Sequence, residues 1–208
     1  RLAIVDLSPA GHQPMVSNDG SCWLIFNGEI YNHNELRCEL KEHGYVFRSA
    51  SDSEVILAAY QHWGVECLSR FNGMWAFALW DINQKRLFCA RVRMGVKPFY
   101  YHINSSRFLF ASEIKTLFAD PTTPRVPNED SVYAFLVYAE VQFNTQTFFK
   151  DINQLPPAHY MLINQEGVKL QRYWQLDHTQ FNAQVKDAEA IETFRHLFFD
   201  SVRLRLQS

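Results

Sequence analysis

The chain has 208 residues, of which 47% are hydrophobic and 15% aromatic, so it can bury a sizeable core and is not a disordered segment. Its formal net charge of −2 gives no indication of a nucleic-acid or membrane-surface partner. No apolar run approaches the roughly 20 residues that a membrane-spanning helix needs. The 4 cysteines form no Cys-x-x-Cys pair, which favours buried, reduced thiols over a disulfide or a zinc site.

The first quarter of the chain predicts two strands followed by a helix. The predicted strands are residues 2–7 and 22–26, separated by a loop that contains Pro and Gly, and the second strand opens into an Asn-Gly-Glu turn. A helix is predicted to begin near Asn34. Asn32 is its expected cap, and Glu35 is expected to close a capping box.

The next elements repeat this pattern and then change to hairpins. Ser51 is the predicted cap of a second helix, with Glu54 closing its capping box and Gly64 ending it. A short helix at residues 65–70 follows. Two hairpins are then predicted, and their strands are residues 74–80, 86–91, 99–103 and 108–111. Ser112 is the predicted cap of a short helix that follows the second hairpin.

A stretch with three prolines, residues 120–130, separates the hairpins from the last elements. These are a helix at 130–138, a strand pair turned at Gly167, and a helix at 188–206 that we expect to be packed at the end of a domain rather than anchored in a membrane. Its apolar face consists of Ile191, Phe194, Phe198 and Val202. Neighbouring strands paired as hairpins predict an α+β fold with antiparallel sheets.

Several motifs occur in an order that resembles one family. They are RLAIVDLSPAGHQPM, FNGEIYNHNELR, SDSEVILAAYQHWG, NGMWAFALWD, GVKPFYY, FASEIK and LPPAHY. Together they resemble the glutamine amidotransferase domain, class II and N-terminal-nucleophile type, of glutamine-hydrolysing asparagine synthetases. The resemblance runs from Arg1 to about Ser208. It implies a four-layer α/β/β/α sandwich of two antiparallel sheets, the N-terminal-nucleophile hydrolase fold.

The resemblance also implies that this chain is truncated at both ends. In the family the nucleophile is a cysteine that becomes residue one after Met removal, which would lie upstream of Arg1. None of the cysteines present matches it, so we expect no glutaminase turnover from these residues alone. We divide the chain into a glutaminase domain at 1–185, with its N-terminus missing, and a helix at 186–208 leading into an absent ATP-dependent synthetase domain.

Five residues match the family's site. Asn27 and Gly28 match the oxyanion hole, where a side-chain and a backbone N–H stabilise the charge on the attacked amide. Glu29 and Asp52 match the acids that bind the substrate's ammonium, and Arg1 matches the arginine that clamps its carboxylate. Without the resemblance, Asn-Gly is typical of a plain hairpin turn, Asp52 of a helix start and Arg1 of a solvated strand end.

Two positions depart from the family's pattern. Val92 stands between Arg91 and Arg93, where the family usually has Asp, so the local ion pairs of an acid between two arginines are lost. Ala158 replaces a usual Gly, which costs backbone freedom.

The activity implied is hydrolysis of glutamine to supply ammonia for ATP-dependent amidation of aspartate to asparagine. The resemblance implies no cofactor or metal in this domain, and ATP and Mg²⁺ in the synthetase domain. Its expected partners are glutamine and that synthetase domain, with no nucleic acid or membrane, in the cytoplasm; a homodimer is left open. The alternatives are an amidotransferase for another acceptor, such as a sugar or cell-surface amidation enzyme, and a degenerate domain that lacks the nucleophile.

Overall fold

The computed structural model describes residues 5–6, 8–140, 145–179 and 185–206. The helices are α1 His33–Glu42, α2 Asp52–Trp63, α3 Cys67–Arg70, α4 Ile114–Leu117, α5 Glu129–Tyr138 and α6 Asp187–Arg205, with short 3₁₀ turns at Pro9–Gly11 and Gly64–Glu66. The strands are β1 Met15–Val16, β2 Cys22–Ile30, β3 Gly73–Asp81, β4 Arg86–Arg91, β5 Tyr100–Ile103, β6 Phe108–Ala111, β7 Ile152–Gln154, β8 His159–Asn164 and β9 Gly167–Arg172.

The described strands form two antiparallel sheets. The larger sheet has six strands in the order β1-β2-β3-β4-β8-β9, and the smaller has three in the order β6-β5-β7. Every adjacent pair is antiparallel, so chain neighbours such as β2 and β3, or β5 and β6, lie side by side. This arrangement confirms the predicted class of antiparallel α+β fold.

One hydrophobic core lies between the six-stranded sheet and α1 and α2. Alternate residues of the sheet, such as Phe26, Phe77 and Phe88, are almost fully buried on this face. They form one cluster with Leu36 of α1 and Ile56 of α2. This face anchors the strand that carries the candidate site residues.

A second core lies between the two sheets. Ala78, Cys89 and Met161 of the larger sheet cluster with Phe99, which precedes β5, and with Phe110 of β6. The rings of Phe99 and Phe110 stack with centroids 5.4 Å apart. Helix α4 packs against the smaller sheet. The order helices, sheet, sheet, helix is the predicted four-layer sandwich.

The predicted Asn-Gly-Glu turn is wrong. Strand β2 continues through Asn27 and Gly28 to Ile30, and these residues stay in register with β3. The plain hairpin alternative fails for the same reason. Of the predicted strand at 2–7, residues 2–4 and 7 lie outside the described residues, and Val5 and Asp6 are not in a strand.

The predicted helix caps have mixed outcomes. Ser51 caps α2, because its Oγ accepts from the Ser53 N–H at 3.2 Å. Glu54 does not close a capping box; its carboxylate instead accepts from the N–H groups of Arg48 and Ser49. Asn32 occupies the predicted N-cap position of α1, but its side chain makes no capping bond and instead bonds to the backbone of Arg70 and Asn72.

The other predicted helices and hairpins occur within a few residues of their predicted bounds, but two short strands and the surroundings of α6 differ. Strands β1 and β7 were not predicted. No residue of α6 that the structure describes is buried, and Phe194 on its apolar face is 70% exposed. Within the described ranges, α6 is therefore not packed as expected. None of the described helices is long and apolar enough to cross a membrane.

Candidate active site

Three of the predicted site residues are consecutive at the end of β2. Asn27, Gly28 and Glu29 pair with Ala76, Trp75 and Met74 of β3, in that order. Asp52 begins α2 and reaches the same strand. Arg1 lies outside the described residues, so its position relative to the others stays a prediction.

The edge of β2 that faces away from β3 presents a row of backbone donors. The Phe26 N–H donates to Gln13 Oε1 at 2.8 Å, and the Ile30 N–H donates to Asp52 Oδ2 at 3.0 Å. Because the direction of N–H groups along an antiparallel strand repeats every two residues, the Gly28 N–H points to this same edge. No described residue accepts a hydrogen bond from it. Gly28 therefore offers an available donor between two occupied ones.

Only glycine fits at this place in the strand. Gly28 has φ +152°, which side-chain-bearing residues rarely adopt. A Cβ added there would lie 2.1 Å from the Met74 carbonyl oxygen and 2.6 Å from Trp75 Cα. The close approach of β2 and β3 thus fixes the position of the candidate backbone donor.

The side chain of Asn27 lies on the sheet face that points towards the smaller sheet. It is half-buried and lines a cleft of about 360 Å³ together with Phe99, Phe110 and Ser112. Its Nδ2 donates to Ser112 Oγ at 3.1 Å. The second N–H of the amide has no acceptor among the described residues, so Asn27 also presents a donor.

Two buried acids lie beside these donors. Glu29 is 3% exposed and Asp52 is 5% exposed. Burial raises the pKa of the Asp52 carboxyl, although the Ile30 N–H favours its charged form. Two carboxylates in a site sheltered from water suit a cationic group such as an ammonium. Asp52 also stands at the start of α2, so the helix-start alternative is compatible with a binding role.

The described residues contain no evident metal site, and three of their four cysteines are buried. They include no group of three or more His, Cys, Asp or Glu that could hold a metal ion. Cys22, Cys67 and Cys89 are buried and Cys38 is exposed, and all are free thiols. Burial raises the pKa of the Cys22, Cys67 and Cys89 thiols, which opposes formation of a nucleophilic thiolate.

Arg91 is a structural residue near the cleft whose role the sequence did not reveal. It is 4% exposed and lies on the same sheet face as Asn27, because both pair with Ala76. Its guanidinium donates to the carbonyl oxygens of Lys97, Gly95 and Leu155, at 2.8, 2.7 and 2.7 Å. Burial lowers its pKa. These bonds fix the loop after β4, which leads to the cleft wall.

Ser112 is a site residue that sequence reasoning placed elsewhere. The sequence predicts it as the cap of α4, but the cap of α4 is Glu113 and no side chain makes a capping bond there. The predicted cap is wrong, and its hydroxyl instead accepts from Asn27. The motif FASEIK was the available signal, although its link to Asn27 is visible only in three dimensions.

Comparison with known proteins shows the family. A family model described as a glutamine amidotransferase domain matches residues 1–174. Asparagine synthetase [glutamine-hydrolyzing] 3 of Bacillus subtilis (strain 168) is 37% identical over all of this chain, which covers 34% of that protein. Amidase chry2 of Gibberella zeae is 31% identical, also over the whole chain, which covers 31% of it. The chain thus spans about a third of the length of these relatives.

A solved structure shows the fold. Glutamine phosphoribosylpyrophosphate (PRPP) amidotransferase from B. subtilis aligns with a TM-score of 0.56 at 21% identity, covering 82% of this chain and 34% of that one. The shared fold is the N-terminal-nucleophile hydrolase fold that the resemblance implied. Because the family model spans most of the chain, the protein described here belongs to the glutamine amidotransferase family.

Proposed function

We propose that this domain hydrolyses glutamine to glutamate and ammonia. The observation that carries the proposal is the end of β2, where the Gly28 N–H and one Asn27 N–H have no acceptor among the described residues and lie beside the buried acids Glu29 and Asp52. Donors for a developing oxyanion and acids for an ammonium are what the hydrolysis of a zwitterionic amide substrate requires.

The proposed reaction assigns one task to each residue. A cysteine thiolate, supplied from outside these residues, attacks the side-chain amide carbon of glutamine, and the carbonyl oxygen becomes an oxyanion held by Asn27 and Gly28. The C–N bond then breaks as the proton given up by the cysteine thiol passes to the leaving nitrogen, and ammonia departs. Water hydrolyses the thioester, which releases glutamate and restores the thiol. Glu29 and Asp52 hold the α-ammonium, and Arg1 holds the α-carboxylate.

We further propose that the full-length protein is a glutamine-dependent asparagine synthetase of the cytoplasm. Its synthetase domain would use ATP and Mg²⁺ to activate aspartate, which then accepts the ammonia. The name of the Bacillus subtilis relative supports this acceptor, whereas the name Amidase chry2 specifies no acceptor. The exposed apolar side chains of α6, such as Phe194 and Phe198, support packing against such a second domain.

The test is to replace Asn27 by Ala in the full-length protein. Loss of one oxyanion-hole donor should lower kcat for glutamine hydrolysis by about 10²–10³-fold. Synthesis with added ammonium should persist, because it does not need glutamine hydrolysis. Asn83→Ala, an exposed change in the β3–β4 turn, is the matched control. Unchanged glutamine turnover in Asn27→Ala would remove the oxyanion-hole assignment.

The same preparation tests the acceptor. With glutamine, ATP, Mg²⁺ and aspartate, we expect asparagine and glutamate to form together. Glutamate and ammonia without asparagine would support hydrolysis but contradict aspartate as the acceptor. A preparation of wild-type protein that releases no ammonia from glutamine would contradict the glutaminase itself.

A further inference from the structure

Ser112 makes a hydrogen bond that joins the two sheets at the candidate site. It directly follows β6 of the smaller sheet, whereas Asn27 belongs to β2 of the larger sheet. Asn27 Nδ2 lies 3.1 Å from Ser112 Oγ, although the two residues are 85 positions apart in the chain. Both side chains line the cleft between the sheets. The bond therefore spans the layer boundary next to the proposed oxyanion hole.

The hydroxyl of Ser112 makes no other hydrogen bond with the described residues. It does not cap α4, and its bond with Asn27 is its one hydrogen bond within the part of the chain that the structure describes. A half-buried serine with a single partner on the opposite layer points to a role in orienting that partner.

Orientation matters because an asparagine amide has two unlike ends. The terminal torsion of Asn is broad and roughly two-fold, so an unheld amide presents either its nitrogen or its oxygen to the cleft. The nitrogen would stabilise an oxyanion, whereas the carbonyl oxygen would repel it. In the structure one N–H donates to Ser112, which places the nitrogen on the cleft side and leaves its second N–H available for a substrate.

Packed aromatic rings hold the part of the smaller sheet that Ser112 follows. The rings of Phe99 and Phe110 stack at 5.4 Å, and those of Tyr101 and Phe108 at 5.8 Å, within the core between the sheets. A site residue held by packed neighbours keeps its geometry better than one on a free loop. Ser112, next to Ala111 at the end of β6, is thus placed to hold Asn27 in one orientation.

We propose that Ser112 is a positioning residue of the glutaminase site, whose hydroxyl holds the Asn27 amide with its N–H directed at the developing oxyanion. This inference rests on the proposed function and adds to it a residue that acts through Asn27. Ser112 makes no contact with the reacting atoms in this scheme.

The experiment compares variants of the full-length protein in glutamine hydrolysis. Ser112→Ala should lower kcat roughly ten-fold, less than Asn27→Ala, because the donor remains but is no longer oriented. Its KM should stay within about two-fold, because the groups that bind the ends of the substrate are untouched. Ser112→Thr keeps the hydroxyl and should retain most of the activity. Ser106→Ala, in the β5–β6 turn, is the matched control.

A double variant separates positioning from a general structural effect. If Ser112 acts through Asn27, adding Ser112→Ala to Asn27→Ala should cause no further loss of kcat. Independent, multiplied losses would overturn the proposal, as would wild-type kcat in Ser112→Ala. Urea unfolding of each variant of the 208-residue chain, followed by tryptophan fluorescence, reports whether the glutaminase domain is folded. A wild-type protein without glutaminase turnover, or an Asn27→Ala variant with full turnover, would instead contradict the proposed function.

Discussion

At the scale of single residues, Gly28 is constrained by both its backbone angle and its neighbours. Its φ of +152° disfavours a side chain, and the β3 backbone occupies the space that a Cβ would need. Gly20 has φ +76° but nothing within 4 Å of an added Cβ. Comparing the same substitution at Gly28 and Gly20 therefore separates the free-energy cost of the backbone angle from that of the steric contact with β3.

We expect Gly28→Ala to lower the free energy of unfolding by about 3–4 kcal/mol, because backbone strain and overpacking add. Gly20→Ala should cost only about 1 kcal/mol, from strain alone. Urea unfolding of the two variants and the wild type measures both values. Equal losses in the two variants would show that β3 moves aside without cost.

Asp52 gives a pH-dependent prediction. Burial raises the pKa of its carboxyl above the usual 3.8, so the folded state holds a proton that the unfolded state releases. The contribution of the Asp52 carboxyl to the free energy of unfolding therefore falls as the pH rises above 3.8. Asp52→Asn lacks this slope and keeps an acceptor for the Ile30 N–H. Its stability relative to the wild type should rise between about pH 4 and pH 7.

Asp19 is the matched control for this measurement. Hydrogen bonds from Ser17 and Ser21 hold its pKa at about 2. Its contribution is present above the unfolded pKa of 3.8 and is lost as pH falls towards 2. Asp19→Asn should thus lose stability relative to the wild type as pH rises through that range. Unfolding curves at several pH values would contradict the assignment if both variants moved in the same direction.

At the scale of elements, the sequence predicted most helices and hairpins but not where β2 ends. Asn-Gly is the commonest hairpin signal, so the local pattern favoured a turn at Asn27. The structure continues the strand because Gly28 can pack directly against β3, where it pairs with Trp75. This contact joins segments that are distant in the chain, so a local sequence pattern cannot predict it. The same limit explains why Ser112 was assigned to a cap: its partner lies in another sheet.

A contact between distant segments also places Val92, which follows β4, next to Trp75 of β3. Val92 is 7% exposed and its N–H donates to the Trp75 carbonyl, so the two residues are neighbours in the first core. Trp75 Nε1 and Arg93 Nε are buried without a hydrogen-bond partner in the described part of the chain. The two unpaired donors thus belong to residues that adjoin position 92, one through a backbone hydrogen bond and one along the chain, where the resemblance implies an acid.

We expect Val92→Asp to raise the free energy of unfolding by about 1 kcal/mol at neutral pH, because bonds to a charged acceptor outweigh its desolvation. Val55→Asp, at a fully buried position of the same core, should cost about 4 kcal/mol. Urea unfolding followed by tryptophan fluorescence compares them. Similar losses in both variants would show that the two donors cannot reach residue 92.

At the scale of the whole molecule, the cores beside the sheets are buried by the described chain, whereas the last helix, α6, is exposed. Phe88 and Leu79 are fully buried, whereas Phe194, Leu197 and Phe198 of α6 are 70%, 61% and 55% exposed. Periodicity predicted the apolar face of α6 correctly, but a pattern cannot say which partner covers it.

Removing residues 187–208 from this chain should therefore lower its free energy of unfolding by no more than about 1 kcal/mol, because exposed side chains contribute little. The shortened chain should also bind less of a dye that reports exposed apolar surface. Urea unfolding and dye fluorescence of the two chains test this. A large loss of stability would show that α6 packs on the sheets in solution.

The available N–H of Gly28 has a consequence for how this protein is studied by mutation. The hydrogen atom that Gly28 offers belongs to the main chain, so every ordinary replacement except proline retains it, and a systematic alanine survey would leave it unreported. Exchanging that amide for an ester by semisynthesis would delete one N–H without adding an atom to the crowded interior.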